Sequence, residues 1–450
     1  MSTTLSPAMQ LAMNSVIASQ KTNEFIVDFT ILNDDDATYK YSPEIIDKIV
    51  IGCKYIETIT DAIYIYFKVA PTDYINLYKN LSNIRISMVL TYKDPITGEK
   101  DYTKNPIKIS GIAMLKNPKD LYKEYSPEQL HPTDQVSKVE SHVSLKIPVE
   151  LHVVNFNLYA IKQIQFHTTF TKTYINDALG HIAKALNISN MEIKQSDNTY
   201  QWEYIVIPPA YDISNIFTFL QNKYGVYNKG CCWYYTNDDV LYVYPSFETN
   251  PNNQNIAKIY NVPDSVIKGS KNYHKITNDV IEIVSNSKVS HVDKSQHSAE
   301  NGATSYSFVR QSSILDNFVN NDSGQSSASV NNTLTVATAK NRTLSSINNN
   351  NDKFIQNASD NLCMYSSRIA EGDCSMISCE WFQCIPLYFR PGHRIEYYFD
   401  NNGAFSKQTG ILDGVIYKIE PVKRQSSELS YSAKAKMVIR ASSDITALIS

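Results

Sequence analysis

Nine histidines and seven cysteines are the residues of this chain with most scope for metal or nucleophilic chemistry, and their spacing supports neither. His291 and His297 lie in a polar Ser/Asn stretch, where water solvates them. His167 and His181 are far apart in the chain and would meet a cysteine only through the fold. Cys231 and Cys232 are adjacent, while Cys363, Cys374, Cys379 and Cys384 are separated by ten, four and four residues. No CxxC pair occurs, so the usual zinc spacing is missing. The odd total and the absence of a recognisable secretion signal read as reduced, mostly buried thiols in a reducing cytosol. The chain has no HExxH, no P-loop, no GxGxxG and no GxSxG. A glycosidase needs two carboxylates at a set separation. Here Asp238 and Asp239 sit in a hairpin tip and Glu371 and Asp373 flank Gly372, so turn chemistry explains them. The expectation is a protein without catalytic residues, metal or cofactor.

Two groups of side chains could instead bind. Tyr224, Tyr227, Trp233, Tyr234 and Tyr235 form an aromatic run, with Tyr397 further on. Such rings stack on sugars or bases, but sheet core and subunit interface suit them better, because tyrosine has an apolar body and a polar tip. They are the candidate interface residues. Lys423 and Arg424, with Lys434, Lys436 and Arg440, make a basic C-terminal face. Lys434, Lys436 and Arg440 are the candidate channel-facing cations if that face lines a channel; otherwise they are solvated or salt-bridged.

The elements that must position these residues are mostly strands. Tyr occurs 31 times and Gly only 14 times, and Tyr, Ile, Val and Thr favour pleated, half-buried strands. Phe25, Val27, Phe29 and Ile31 alternate with Ile26, Asp28 and Thr30, and further period-two sets are Ile49, Ile51 and Cys53, then Ile63, Ile65, Phe67 and Val69, then Ile84, Ile86, Met88 and Leu90. Asp34–Asp36, and later Asp94-Pro95 with Thr97-Gly98, mark turns. In the middle the period changes to that of helices. Ile175, Leu179, Ile182 and Leu186 form one stripe, with Thr173 as its expected N-cap. Ile213, Ile216, Phe217 and Leu220 form a second, capped by Asp212 and stopped by Gly225. Between Cys232–Tyr235 and Val240–Tyr244 a hairpin is expected.

The expected class is α+β, mainly β: two antiparallel β-barrel domains, a small α/β module and a long Ser/Asn-rich loop. The boundaries read as an N-terminal arm over 1–22, on which Leu5, Met9, Ala12 and Val16 share a helical face; a first β-domain over 23–114; a connector with strands over 115–154; an α/β module with two helices over 155–250; and a second β-domain over 251–284 and 353–445, interrupted by the loop 285–352. A 450-residue chain has room for several cores. Its formal net charge of −3 gives no global field for nucleic acid or anionic membrane, and no stretch approaches the length of a membrane span.

This order of parts resembles the baseplate central hub proteins of contractile-tailed bacteriophages. EFIVDFTILN followed by DKIVIGCKYIETITDAIYIYFKV is similar to the opening of their first tube-type domain. TYINDALGHIAKAL, then YIVIPPAYDISNIFTFLQNKYGVYNKGCCWYYTNDDVLYVYP, resembles their central module. FRPGHRIEYYF, TGILDGVIYKIEP and YSAKAKMVIR look like their closing tube-type domain. The resemblance covers most of the chain outside the Ser/Asn segment. It implies a structural virion protein, assembled in the host cytoplasm as a homotrimer whose two tube-type domains per subunit make a pseudo-sixfold ring. Its implied partners are the tail tube, the central spike, baseplate wedge proteins and DNA in passage, with no membrane insertion. A host-surface carbohydrate-binding tail protein, another wedge-type baseplate component, or a tail-associated lysin or peptidase are the competing readings.

Overall fold

In the computed structural model, which describes residues 5–18, 23–33, 40–41, 46–54, 59–70, 73–74, 77, 84–115, 147–188, 190–209, 213–227, 231–236, 239–246, 248, 256–263, 274–277, 280–291, 305–306, 336–337, 374–401, 403–422, 429–442 and 446–449, the period-two segments close into two fused β-barrels. A helix, α1 (Pro7–Ala18), precedes the first strands. These are β1 (Glu24–Asn33), β2 (Lys40–Tyr41), β3 (Ile46–Cys53), β4 (Ala62–Val69), β5 (Ile84–Lys93), β6 (Lys100–Asp101), β7 (Ile107–Leu115) and β8 (Ile147–Val154). Next comes the mixed module: α2 (Phe156–Lys162), β9 (Thr168–Tyr174), α3 (Ile175–Ala185), β10 (Asn190–Ile193), β11 (Gln201–Ile207), α4 (Ile213–Lys223), β12 (Cys231–Tyr235) and β13 (Val240–Pro245). The rest comprises β14 (Ile256–Asn261), β15 (His274–Thr277), β16 (Val280–Ser285), β17 (Ser287–His291), the short pair β18 (Ser305–Tyr306) and β19 (Val336–Ala337), β20 (Cys374–Phe382), β21 (Arg394–Asn401), β22 (Ala404–Pro421), β23 (Tyr431–Ser442) and β24 (Thr446–Ile449).

The first barrel runs β1–β5–β7–β8–β4–β3 through antiparallel pairs, and it is closed by the far ends of β22 and β23. Ile419 to Val415 of β22 pair with Ile49 to Cys53 of β3, and Tyr431–Ser432 of β23 pair with Phe25–Glu24 of β1. The alternating side chains point inward as expected: Phe29, Ile49, Ile51, Ile65, Phe67, Met88 and Leu151 are buried, with the Phe29 and Phe67 rings edge to face at 5.6 Å. β7 and β8 approach so closely that a Cβ on Gly111 would lie 2.3 Å from the Val154 carbonyl oxygen, which explains a glycine in a strand interior. The Asp94 turn forms as its residues dictate, the carboxylate accepting from the Ile96 and Thr97 amides and Gly98 taking φ +79°.

The second barrel runs β20–β23–β22–β21–β14 and closes through the nearly continuous strand β16–β17, whose first half pairs with β14 and whose second half pairs with β20. Here β14 lies parallel to both its neighbours, β16 and β21, so the pairing on each side needs a crossover and cannot be a hairpin. The strand continues past Ser285 to His291, so ordered structure extends into the segment read as loop from 285.

One hairpin therefore belongs to both barrels. β22 is 18 residues long; its first half pairs with β21 and its second half with β3. The switch is a register shift between Leu412 and Gly414, where the sequence suggested a kink or turn at Asp413-Gly414. There Arg440 Nε donates to Asp413 Oδ1 at 2.7 Å, with both side chains largely buried.

The mixed module contains three helices where the sequence suggested two. The extra one, α2, is short and capped by Asn155, whose Oδ1 accepts from the amides of Asn157 and Leu158. The N-cap of α3 is Tyr174, without a side-chain cap bond, whereas Thr173 sits in β9. α4 ends at Gly225, φ +75°, whose amide reaches back to Leu220 and Gln221. Asp212, Asp34–Asp36, Asp238, Lys423, Arg424, His297, Cys363, Glu371, Asp373 and most of 285–352 and 116–146 lie outside the described residues.

Candidate assembly surface

The six aromatic residues expected at an interface are all interior. Trp233 and Tyr235 point from β12 toward α3 and α4, together with Tyr224 and Tyr227, while Tyr234 faces the barrels, in the same core cluster as Tyr397. The β12–β13 hairpin is thus buried on both faces, so its unbroken apolar run is a core signal and leaves no exposed platform. Polar tips are satisfied locally. Tyr227 OH donates to the Lys194 carbonyl at 2.6 Å, Tyr224 OH bonds to the Val206 backbone, and Tyr244 OH donates to the Pro391 carbonyl of the second barrel at 3.3 Å. Burial, with Asp239 beside it, pushes the Tyr235 hydroxyl up to about 12. Exposed aromatics lie elsewhere: Tyr102 just past β6, Tyr174 and Tyr204 on the β9–β11 ribbon with Val206, and Tyr200 just before β11.

The catalytic alternatives find no constellation. Cys53, Cys232, Cys379 and Cys384 are buried, and burial pushes the Cys232 thiol up to about 11 and the Cys379 thiol to about 12, far from a reactive thiolate. His167 and His181 are exposed, the latter ring lying against Phe170. Among the described residues no three His, Cys, Asp or Glu side chains gather as metal ligands.

What the barrels do present is a wall. The outward faces of β20, β23, β22, β3, β4, β8 and β7 form one continuous seven-strand surface, and the cross-strand registers place its side chains in rows. One row runs Phe382, Lys434, Lys418, Val50, Tyr64, His152, Met114. Another runs Glu380, Lys436, Ile416, Gly52, Ala62. Lys434 and Lys436 are exposed on this wall, and Ile416 is 52% exposed between strands of opposite barrels.

Part of the charge on the wall is paired at short range. Glu420 takes Lys418 and, at 3.6 Å, Lys434; burial alone would raise its carboxyl, but the two ammonium groups hold it below the usual carboxylate range. Lys48 stands 4.1 Å over the Tyr66 ring, whose hydroxyl donates to Glu150 at 3.0 Å, and Tyr64 stacks on His152 at 4.9 Å. Arg440 is committed to Asp413. Lys48, Lys418, Lys434, Lys436 and Arg440 stand among Glu150, Glu380, Glu420 and Asp413, and Lys68 of β4 and Lys108 of β7 are further exposed cations on the same outward faces. Of the three expected channel-facing cations, Lys434 and Lys436 reach the surface, and Arg440 is a strand-crossing pin. Sequence reasoning missed Lys48, Tyr64, Tyr66, Glu150, His152 and Glu420, whose only signal was their polar turn in each alternating strand.

The joint between modules is also defined. The Arg390–His393 turn holds Asp61 of the first barrel through an Arg390 ion pair at 3.1 Å, and takes the Tyr244 bond from the mixed module. His393 is 2% exposed, and neither of its ring nitrogens has a hydrogen-bond partner among the described residues. Burial depresses its pKa to about 4.

No family model matches the chain, and no curated protein matches it. Among solved structures it is similar to the tail protein from Neisseria meningitidis MC58, at 10% identity and a TM-score of 0.45, covering 92% of this chain and 96% of that one. It is similar at 9% identity and TM-score 0.45 to the prophage MuSo2 43 kDa tail protein from Shewanella oneidensis, covering 92% and 97%. A third is the E. coli c3393 protein, described as a component of the type VI secretion system with structural similarity to T4 bacteriophage tail proteins gp27 and gp5, at 8% identity and TM-score 0.38, covering 90% and 77%.

Proposed function

We propose that this chain is a structural baseplate protein of a bacteriophage tail, and specifically the central hub of a contractile tail. In that reading three copies place six barrels around a channel, join the sixfold tail tube to the threefold spike, contact wedge proteins, and line the path of the ejected DNA. Assembly takes place in the host cytoplasm, and the residence of the protein is the virion. It has no catalytic role.

The observation that carries the reading is the shared β22–β23 hairpin, which fixes two closed barrels side by side in one chain. A ring of closed barrels also leaves few sheet edges for stray pairing. The pairing of Glu420 with Lys418 and Lys434 fits a DNA path, because a surface that neutralised phosphates with free lysines would hold the polyanion by counterion release. The carbohydrate reading loses its support with the burial of Trp233, Tyr234 and Tyr235.

The test is the mass of the purified chain by light scattering, followed by electron microscopy. The expected result is a species of about 153 kDa, three times 51.0 kDa, seen as a ring with an axial pore. A particle without a pore, or a monomer that neither a tube nor a spike protein recruits, would overturn the proposal.

A further inference from the structure

The outer face of the second barrel carries a second, separate apolar cluster. Tyr260 of β14, Val262, Val284 of β16, Tyr398 of β21 and Phe405 of β22 form a strip, and α1 lies on it with Met9 and Val16 fully buried. The rings lie one against the next, Tyr260 on Tyr398 at 5.1 Å and Tyr398 on Phe405 at 5.4 Å. The two tyrosine hydroxyls donate to carboxylates beside the strip, Tyr260 to Glu282 and Tyr398 to Glu396, which leaves the ring faces for the helix. Polar ties to α1 include the Ser6 amide, which donates to Asp400 Oδ2 at 2.9 Å, and Lys275 Nζ, which donates to Ser15 Oγ at 3.1 Å.

Two features separate this helix from the barrel it covers. Its contacts form their own cluster, distinct from the cluster that fills both barrels, so the barrel core is complete without it. A helix of 12 residues with no acidic residue in its first turn and no basic residue in its last does not hold its shape alone in water. It therefore folds only on the strip. Met9 and Val16 are its two fully buried anchors, with Leu5, Ala12, Met13 and Ile17 partly buried beside them, and an element held by a small separate cluster opens at lower cost than the core it rests on. Asn23, at the other end of the connection, is anchored by its side-chain amide to His274 and the Gln383 carbonyl. From that anchor the chain reaches at most about 17 Å to Ala18, and the helix adds about 18 Å more.

We infer that α1 is an exchangeable arm: the strip is a helix-binding surface, occupied in this fold by the chain's own α1 and equally able to take α1 of a second copy. A copy brings the one helix whose Met9 and Val16 are already matched to these rings. Exchange would tie neighbouring copies together without any new surface. The inference goes beyond the tail reading and stands without it.

The test uses the full chain carrying Met9→Asp and Val16→Asp, which drives its own arm off the strip. A fluorescent peptide of residues 5–18 should bind this variant saturably, bind the unaltered chain at least tenfold more weakly, and fail to bind when the peptide carries the same two substitutions. In the second arm, deletion of residues 19–22 should raise the mass above that of the parent, and excess peptide should reverse the increase. A folded variant that ignores the peptide overturns the proposal. So does a variant that no longer folds, since α1 would then be part of the barrel. Peptide binding with no change of mass on deletion overturns the second copy as the occupant.

Discussion

Replacing Arg440 with Leu should loosen both barrels at once, although the residue lies in the part of β23 that pairs inside the second barrel. Its guanidinium holds Asp413 at the point where β22 leaves β21 and begins to pair with β3. The two side chains are 15% and 5% exposed, so removal of the cation strands a carboxylate with little water around it. Breaking such a pair costs on the order of 3 kcal/mol, at the lower end of the range for fully buried pairs because Arg440 keeps some solvent. In opening equilibria that is about a hundredfold. Amide hydrogen exchange followed by mass spectrometry reads it locally: β3 residues 49–53 and β21 residues 394–401 should both exchange about a hundredfold faster. A double replacement, Arg440→Leu with Asp413→Leu, should recover most of the loss, since apolar substitution of both partners removes the stranded charge. Acceleration confined to β21, with β3 unaffected, would refute the reasoning, because the two barrels would then not depend on one crossover.

Stability should fall as the pH drops. His393 has a folded pKa of about 4 against about 6.5 unfolded, so below 6.5 the unfolded chain binds the extra proton; the stability present above 6.5 is lost progressively toward pH 4, by about 3 kcal/mol in all. His393→Phe should flatten that part of a plot of urea midpoint against pH, and an unchanged slope would exclude His393 as its source. Gly111→Ala should destabilise the first barrel by about 1–3 kcal/mol, because its new Cβ meets the Val154 carbonyl; calorimetry checks this, and a neutral result would mean that β7 and β8 separate freely. Replacing Glu420 with Gln frees Lys418 and Lys434 on the wall, so the altered chain should retard DNA in a low-salt gel where the parent does not, with the effect vanishing at high salt.

The strands were legible because burial on one face imposes period two. Ile63, Ile65, Phe67 and Val69 could be assigned inward from spacing alone, and all four are buried. α3 was legible for the same reason, since Ile175, Leu179, Ile182 and Leu186 can share a face only at helical pitch. Three things were not legible. The partner of each strand lies far along the chain, as with Ile416 beside Gly52, so the shared hairpin has no local mark. The run Cys232–Tyr235 is apolar because β12 is covered from both sides, and a doubly covered strand and a sticky surface strand have the same composition. Tyr398 alternates with Tyr397 and so reads as outward-facing, yet it is buried, because α1 lies over it from the other end of the chain.

A flexible linker between two barrels would leave their angle to be set by whatever partner binds. Here the angle is set inside the chain: Val415 to Ile419 cannot swing away from β3 without breaking the pairing that closes the first barrel, and Gly410 to Leu412 cannot leave β23 without opening the second. The Asp61–Arg390 pair fastens the same joint from another direction, and the Tyr244 bond to Pro391 ties the mixed module to the second barrel. If several copies form a ring, each then contributes a rigid arc. The interfaces between copies need only match edges, which is a smaller demand than also fixing curvature. Under the proposed hub function, that division of labour suits three chains meeting a sixfold partner, and it places the strongest constraint on the few residues around Asp413.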